Sequence, residues 1–220
     1  MRIMIYTVTF NPALDYVMKV DELRYDDINR TCGEELHYGG KGINVSVILS
    51  RLGVENIALG FKAGFTGEKL EQLLEEDGIN TEFIPLKNGF TRINVKIKAA
   101  TELDINAQGP PIDSDEVEKL FERIQLLRQG DVLVLAGSVP GTLPPDIYEK
   151  LLSVTSQSGV EAVVDSTGDL LLNVLKYRPF LIKPNHFELG DLFGVRIGSE
   201  EDIVKYAKKL QEKGARNVLV

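Results

Sequence analysis

The chain has 220 residues, 43% of them apolar, which is enough for one sizeable core with a small appendage. Its net charge of −8 argues against sequence-independent nucleic-acid binding, which needs a basic face to neutralise phosphates, although a few cations can still converge in one cleft. A single cysteine, Cys32, excludes an intramolecular disulfide framework and a cysteine metal cluster, and the two histidines, His37 and His186, are too far apart in sequence to form a ligand motif.

The amino terminus, residues 1–6, reads as a strand and has none of the regions of a signal peptide. No uninterrupted apolar run reaches membrane-spanning length, so the expected class is a cytoplasmic enzyme or binding protein with no membrane partner. Residues 3–10 alternate and are rich in β-formers, predicting a first strand that ends at Asn11-Pro12-Ala13-Leu14-Asp15, where Pro12 withdraws an N–H donor and forces a turn. Asp15 is then expected just beyond a strand end, where α/β proteins keep ligands, with a turn or helix cap as its other reading. Residues 16–38 carry short β-like pieces and no helical pattern, the mark of a strand excursion from the main sheet.

Next comes Gly39-Gly40-Lys41-Gly42-Ile43-Asn44, ahead of the apolar-periodic run Val45, Ile48, Leu49 and Leu52, which stops at Gly53. The glycines let the backbone approach a ligand with no Cβ in the way, and the helix behind them offers unpaired N–H groups and a positive dipole end. Lys41 adds a full charge, and Asn44 can both donate and accept hydrogen bonds. The spacing is neither that of the nucleotide P-loop nor that of the dinucleotide fingerprint. The guest that suits it is a phosphorylated, polyhydroxylated small molecule, and the alternative is a purely structural turn.

Residues 56–61 read as a strand and 68–77 as a helix closed by Gly78. Two more strand-like segments, 81–86 and 92–99, are separated by Lys87-Asn88-Gly89, whose Asn-Gly predicts a hairpin. Val95, Ile97 and Ala99 alternate with Asn94, Lys96 and Lys98, the pattern of a sheet with one wet face that could serve as a lid. Residues 106–111 return the chain to the body as a loop.

From there the pattern becomes regular. Asp113 and Glu116 have capping-box spacing, and Val117, Leu120, Phe121, Ile124 and Leu127 make one apolar helix face that stops at Gly130. Residues 132–136 form a continuous apolar strand, as expected when helices cover both faces. A helix over 145–158, a strand over 161–165, a short helix over 169–176, a strand over 180–183, a helix over 201–213 and a strand over 217–220 follow, which specifies a parallel α/β sheet with right-handed crossovers. The closing apolar strand runs to Val220 with no covering helix after it, so the chain is expected to be a fragment of a longer protein, an ordinary carboxy-terminal strand being the alternative.

Polar residues at the carboxyl ends of these strands are Asp15, Gly137-Ser138, Asp165 and Lys183-Pro184-Asn185. Lys183 leads into Asn185-His186-Phe187-Glu188, whose amide and carboxylate share one face of a new helix and suit a hydrated Mg²⁺. Taken singly, the two are more often a helix cap and a solvated charge than ligands.

The motifs Asn11-Pro12-Ala13-Leu14-Asp15, Gly39-Gly40-Lys41-Gly42-Ile43-Asn44, the strand containing Arg92, Gly137-Ser138-Val139-Pro140 and Lys183-Pro184-Asn185-His186-Phe187-Glu188 occur in the order and spacing of the ribokinase-like (PfkB) sugar kinases. The chain resembles that family over its whole length, and within it the 1-phosphofructokinase branch, with tagatose-6-phosphate kinases next. The resemblance implies a single domain over 1–220, a three-layer α/β/α body with a mainly parallel sheet, incomplete at the carboxyl end, and a small β lid over about 16–38 and 90–105. It implies ATP-dependent, Mg²⁺-assisted phosphorylation of a sugar phosphate, fructose 1-phosphate to fructose 1,6-bisphosphate, and dimer contacts through the lid. Asp15, the Gly39 and Gly40 backbone and Asn44 would hold sugar hydroxyls; Lys41 and Arg92 would face the existing phosphate, with Ser138 close by. Lys183, Asn185 and Glu188 would serve ATP and Mg²⁺, Glu188 through a water, with Asp165 in support. The family's Gly-Ala-Gly-Asp motif, which supplies the anion hole and the catalytic aspartate, has no counterpart in these 220 residues. The resemblance places that aspartate beyond Val220, so no catalytic base is assigned within the chain. The implication is an inactive fragment, or else a non-catalytic sugar-phosphate-binding protein.

Overall fold

A computed structural model describes residues 3–220; of the strand expected over 1–6, residues 1 and 2 lie outside the described residues. The first half of the chain runs β1 (Ile5–Thr9), β2 (Ala13–Lys19), β3 (Gly33–Gly39), α1 (Lys41–Arg51), β4 (Asn56–Lys62), α2 (Gly64–Glu76), β5 (Thr81–Pro85), β6 (Arg92–Lys98) and β7 (Glu102–Ile105). The second half runs α3 (Ser114–Gln125), β8 (Val132–Ala136), α4 (Ile147–Thr155), β9 (Glu161–Asp165), α5 (Gly168–Val174), β10 (Leu181–Ile182), α6 (His186–Phe193), α7 (Glu200–Glu212) and β11 (Asn217–Val218).

The main sheet has seven parallel strands in the order β11-β10-β9-β8-β1-β4-β5. Along β1 and β4, neighbouring residues point to opposite layers, as the two-residue period of a strand requires. Val8, Leu59 and Phe61 join α3, α4 and α5 in the larger core, whereas Ala58 joins Ile43, Val47, Leu70 and Leu74 of α1 and α2 in the smaller one. The three-layer α/β body with a mainly parallel sheet agrees with the expectation. The capping box at Asp113 and Glu116 forms, and Leu120 and Ile124 point inward.

The last strand is shorter than its apolar run predicts. β11 ends at Val218 rather than at Val220, because its partner β10 offers only Leu181 and Ile182 to pair with. Leu219 N–H still donates to the Ile182 carbonyl at 3.0 Å, but Leu219 and Val220 are both exposed, and neither lines the cleft described below.

The small sheet has four strands in the order β3-β2-β6-β7 and is mixed: β2 runs antiparallel to β3 and parallel to β6, and β6 runs antiparallel to β7. Two expectations change here. Asp15 does not lie beyond a strand in a turn; the turn is over by Pro12, and Asp15 sits within β2, opposite His37 and Asn94. Nor does Lys87-Asn88-Gly89 make a hairpin, because β5 pairs with β4 in the main sheet and β6 with β2 in the small one. Both sides of that loop are pinned to β4 and its end, by Leu86 N–H on the Lys62 carbonyl and Thr91 N–H on the Ala63 carbonyl. Long-range pairing thus overrides the local turn signal.

Helix α1 also buries a different face from the one its apolar period predicts. Gly42, Ile43, Ser46 and Val47 point inward, while Ile48 and Leu52 are 54% and 73% exposed. The reason is polar: Ser46 and Thr7 hydroxyls share a hydrogen bond of 2.7 Å, and the Ile43 N–H donates to Thr9 Oγ1 at 3.0 Å. These buried pairs and a glycine hold the helix close against β1.

Candidate functional site

The Gly39 to Asn44 loop is shaped by two steric constraints. Gly40 has φ 132°, and a Cβ there would stand 2.8 Å from the Thr9 methyl; a Cβ at Gly42 would stand 2.8 Å from the Val8 carbonyl oxygen and closer still to Thr9 Oγ1. Only glycine allows the chain to leave β3 and start α1 directly over the carboxyl end of β1. Lys41 is then the first residue of α1, and the amide of Ile43 is already taken by Thr9, so fewer free helix donors remain than the sequence suggests.

In front of this helix end lies a cleft of about 710 Å³. Gly40, Lys41 and Asn44 form one wall, Arg92, Lys96 and Asn106 of the small sheet and its return loop form another, and Gly137, Ser138, Ser166 and Thr167 close the floor at the ends of β8 and β9. Five of the residues picked from sequence, Gly40, Lys41, Asn44, Arg92 and Ser138, therefore converge on one cavity. Gly39 ends β3 directly beside the Asp15 carboxylate, within 3.1 Å of where its own Cβ would be.

Asp15 is held by its cross-strand neighbours: Asn94 Nδ2 donates to Oδ1 at 2.9 Å, and Lys96 Nζ lies 4.0 Å from Oδ2 while also pairing with Asp104 at 3.3 Å. Arg92 is less free than expected. It donates to the Asn11 carbonyl at 2.9 Å and to the Ala107 carbonyl at 3.1 Å, bracing the β1–β2 turn against the return loop. Burial makes its cation easier to discharge than usual, while the nearby Asp15 opposes that.

Asp165, at the end of β9, bridges two lysines. Its oxygens lie 3.2 Å from Lys41 Nζ and 3.2 Å from Lys183 Nζ, which joins the glycine loop to the end of β10. Asn185 and Glu188 stand apart from the cleft and form a reciprocal capping box at the start of α6: Asn185 Oδ1 accepts from Glu188 N–H at 2.9 Å, and Glu188 accepts from Asn185 N–H at 2.8 Å. The capping alternative is thus present in the structure. Glu188 still keeps one carboxylate oxygen with no partner among the described residues.

Sequence reasoning missed Asn94, Lys96, Ser166 and Thr167. Arg92, Asn94 and Lys96 stand at every second position of β6, so they share one face, and that face looks into the site rather than into open water; Asn94 is only 7% exposed. Ser166 and Thr167 directly follow Asp165, so the rule that gathered strand-end residues reaches them as well.

Comparison with known proteins matches residues 8–220 to the model of the pfkB family of carbohydrate kinases. The chain belongs to this family. It is 46% identical over 217 residues to a 1-phosphofructokinase of Bacillus subtilis, covering 99% of this chain and 71% of that protein. It is 38% identical over 218 residues to a D-tagatose-1-phosphate kinase of Bacillus licheniformis, again covering 99% of this chain and 71% of the relative. Among solved structures, phosphofructokinase-2 from Escherichia coli in complex with fructose-6-phosphate superposes with a TM-score of 0.91 at 27% identity, covering 98% of this chain and 73% of that one.

Kinases of the pfkB family are phosphotransferases that use ATP, generally with Mg²⁺. The residues at the β10–α6 junction fit such a group. Lys183 offers a cation, and the unpartnered oxygen of Glu188 offers the hard oxygen that a mostly hydrated Mg²⁺ takes from a protein. Among the described residues no helix is long and apolar enough to cross a membrane.

Proposed function

We propose that this chain uses its cleft to bind a sugar phosphate, fructose 1-phosphate first, for phosphorylation by ATP to fructose 1,6-bisphosphate. One observation carries the reading: in a protein of net charge −8, Lys41, Arg92 and Lys96 all line a single cavity. That local reversal of sign suits a phosphate dianion. In this reading Asp15, Asn44 and the backbone at Gly39 and Gly40 take the sugar hydroxyls, Ser138 lies beside them, and Lys41 and Lys96 take the phosphate. Arg92, with bonds already made to two carbonyls, contributes charge rather than a free fork.

ATP is proposed to lie toward Lys183, Asn185 and Glu188, with Asp165 holding Lys41 and Lys183 in place between the two substrates. Mg²⁺, held through water by Glu188, would neutralise phosphate charge. The small sheet acts as a lid that shields the transfer from water, and its open face as a dimer contact. Asp15 and Asp165 are both committed to cations or amides, so neither is assigned as the base. Because no Gly-x-Gly-Asp run occurs in these residues, we expect transfer by this chain to be slower by roughly four orders of magnitude or more than in a kinase that carries the motif.

A second sugar is favoured by a specific observation: relatives are named D-tagatose-1-phosphate kinase, so tagatose 1-phosphate stands beside tagatose 6-phosphate as a competitor. The test is calorimetric titration with fructose 1-phosphate, the two tagatose phosphates and unphosphorylated fructose, together with an ADP-release assay. Saturable binding of fructose 1-phosphate and none of fructose is expected. Equal binding of both would remove the phosphate from the argument, and a preference for a tagatose phosphate would replace the first sugar with the second.

A further inference from the structure

Asn94 is a polar side chain in a place where packing does not ask for one. It lies in the middle of β6, is 7% exposed, and stands between Arg92 and Lys96 on the face that lines the cleft. Its amide nitrogen donates to Asp15 Oδ1 at 2.9 Å, and its amide oxygen is buried with no hydrogen-bond partner among the described residues. A carboxylate can only accept, so the nitrogen must face Asp15 and the oxygen must face away. Leaving a buried acceptor unpaired costs free energy that an apolar residue would not incur. The one side-chain bond Asn94 makes among the described residues goes to the carboxylate assigned to the sugar.

We propose that Asn94 is a positioning residue that fixes the rotamer of Asp15, so that one carboxylate oxygen is occupied by the amide and the other is presented toward Lys96 and the sugar hydroxyls. The register supports this, because Asp15 and Asn94 are direct partners on adjacent parallel strands, which brings the amide within reach of the carboxylate. Lys96, 4.0 Å from the second oxygen and shared with Asp104, is too loosely placed to fix the carboxylate alone. The inference rests on the reading of the cleft as a sugar-phosphate site.

A double-mutant cycle on fructose 1-phosphate affinity tests it, using wild type, Asn94→Ala, Asp15→Ala and the double variant, with thermal melting to confirm that each is folded. If Asn94 acts through Asp15, Asn94→Ala weakens binding about tenfold in the wild-type background and less than about twofold once Asp15 is gone. A merely structural role gives equal losses in both backgrounds. Should Asn94→Ala not fold, Asn94→Ser carries the same cycle. Wild-type binding with an unchanged or additive Asn94 effect overturns this inference and leaves the proposed function standing. No binding of fructose 1-phosphate by wild type overturns the proposed function, and this inference with it.

Discussion

The two sheets answer to different demands. In the main sheet, β8 buries Leu133, Val134, Leu135 and Ala136 in succession, since helices lie on both faces and water reaches neither. In the small sheet, β7 is exposed along its whole length and β6 alternates polar with apolar residues, with Arg92, Asn94 and Lys96 on the side of the cleft. Packing chooses the residues of the first sheet, and charge and hydrogen bonding choose those of the second. The body therefore fixes where strand ends and helix starts meet, and the small sheet supplies Arg92 and Lys96 to the wall of the cleft.

The sharpest way to break this contrast is to disturb the contact that fixes the body. Gly42→Val is expected to cost about 3 kcal/mol or more, because its Cβ meets the Val8 carbonyl and Thr9 rather than a flexible side-chain end. Urea unfolding measures it, and a cost below about 1 kcal/mol would mean that α1 does not depend on the close approach. The counterpart on the small sheet is Asp15→Ala. It is expected to weaken fructose 1-phosphate binding about a hundredfold while lowering global stability by less than about 1 kcal/mol. A loss of stability as large as the loss of affinity would show that the small sheet, too, is held by its polar residues.

The same contrast explains what the sequence reveals. The second half of the chain is legible because its parallel strands between helices are mostly apolar and three of its helices carry caps, at Asp113 with Glu116, at Asn185 with Glu188 and at Ser199. The small sheet is legible only as an excursion. Its pairing joins residues 13–19 to residues 92–98, and no local signal reports a partner so far along the chain; the nearest signal, Asn88-Gly89, points to the wrong one. Asn94 and Lys96 look like a wet face until that pairing turns them toward Asp15. The inward face of α1 is hidden for a related reason: Ser46 is buried by its bond to Thr7, which hydrophobic periodicity does not register. Motif spacing locates Lys41, Arg92 and Lys183, but the bridge from Asp165 to both lysines exists only once β9 and β10 are side by side.

A smaller effect tests how the body holds the floor of the cleft. Tyr148 on α4 is fully buried and its hydroxyl donates to the Gly137 carbonyl at 3.0 Å, just ahead of Ser138. Burial first, and the negative charge of Asp165 second, push its phenol above the ordinary range, so it remains a donor at any working pH. Tyr148→Phe is expected to cost about 1 kcal/mol in urea unfolding. It should also loosen the Gly137-Ser138 loop, seen as faster amide exchange confined to that loop, and exchange that rises uniformly instead would assign the bond to global stability alone.

The smallest effect belongs to the exposed part of the small sheet. Glu35 on β3 is brought down from 4.5 to about 2, first by the hydrogen bond from Lys19 across on β2 and then by His37. Its folded value lies below its unfolded one, so the stabilisation is complete above about pH 4.5 and is lost as the pH falls toward 2. Both partners are about half exposed, so water and salt screen the pair and the contribution is slight. Glu35→Gln should therefore melt slightly below wild type at pH 7 in low salt. The gap should close as the pH falls from about 4.5 to 2, and close again at pH 7 when the ionic strength is raised to about 1 M. The Gly42→Val penalty, being steric, should change with neither. If wild type and Glu35→Gln follow the same curve throughout, the ion pair contributes nothing to holding β3 on β2.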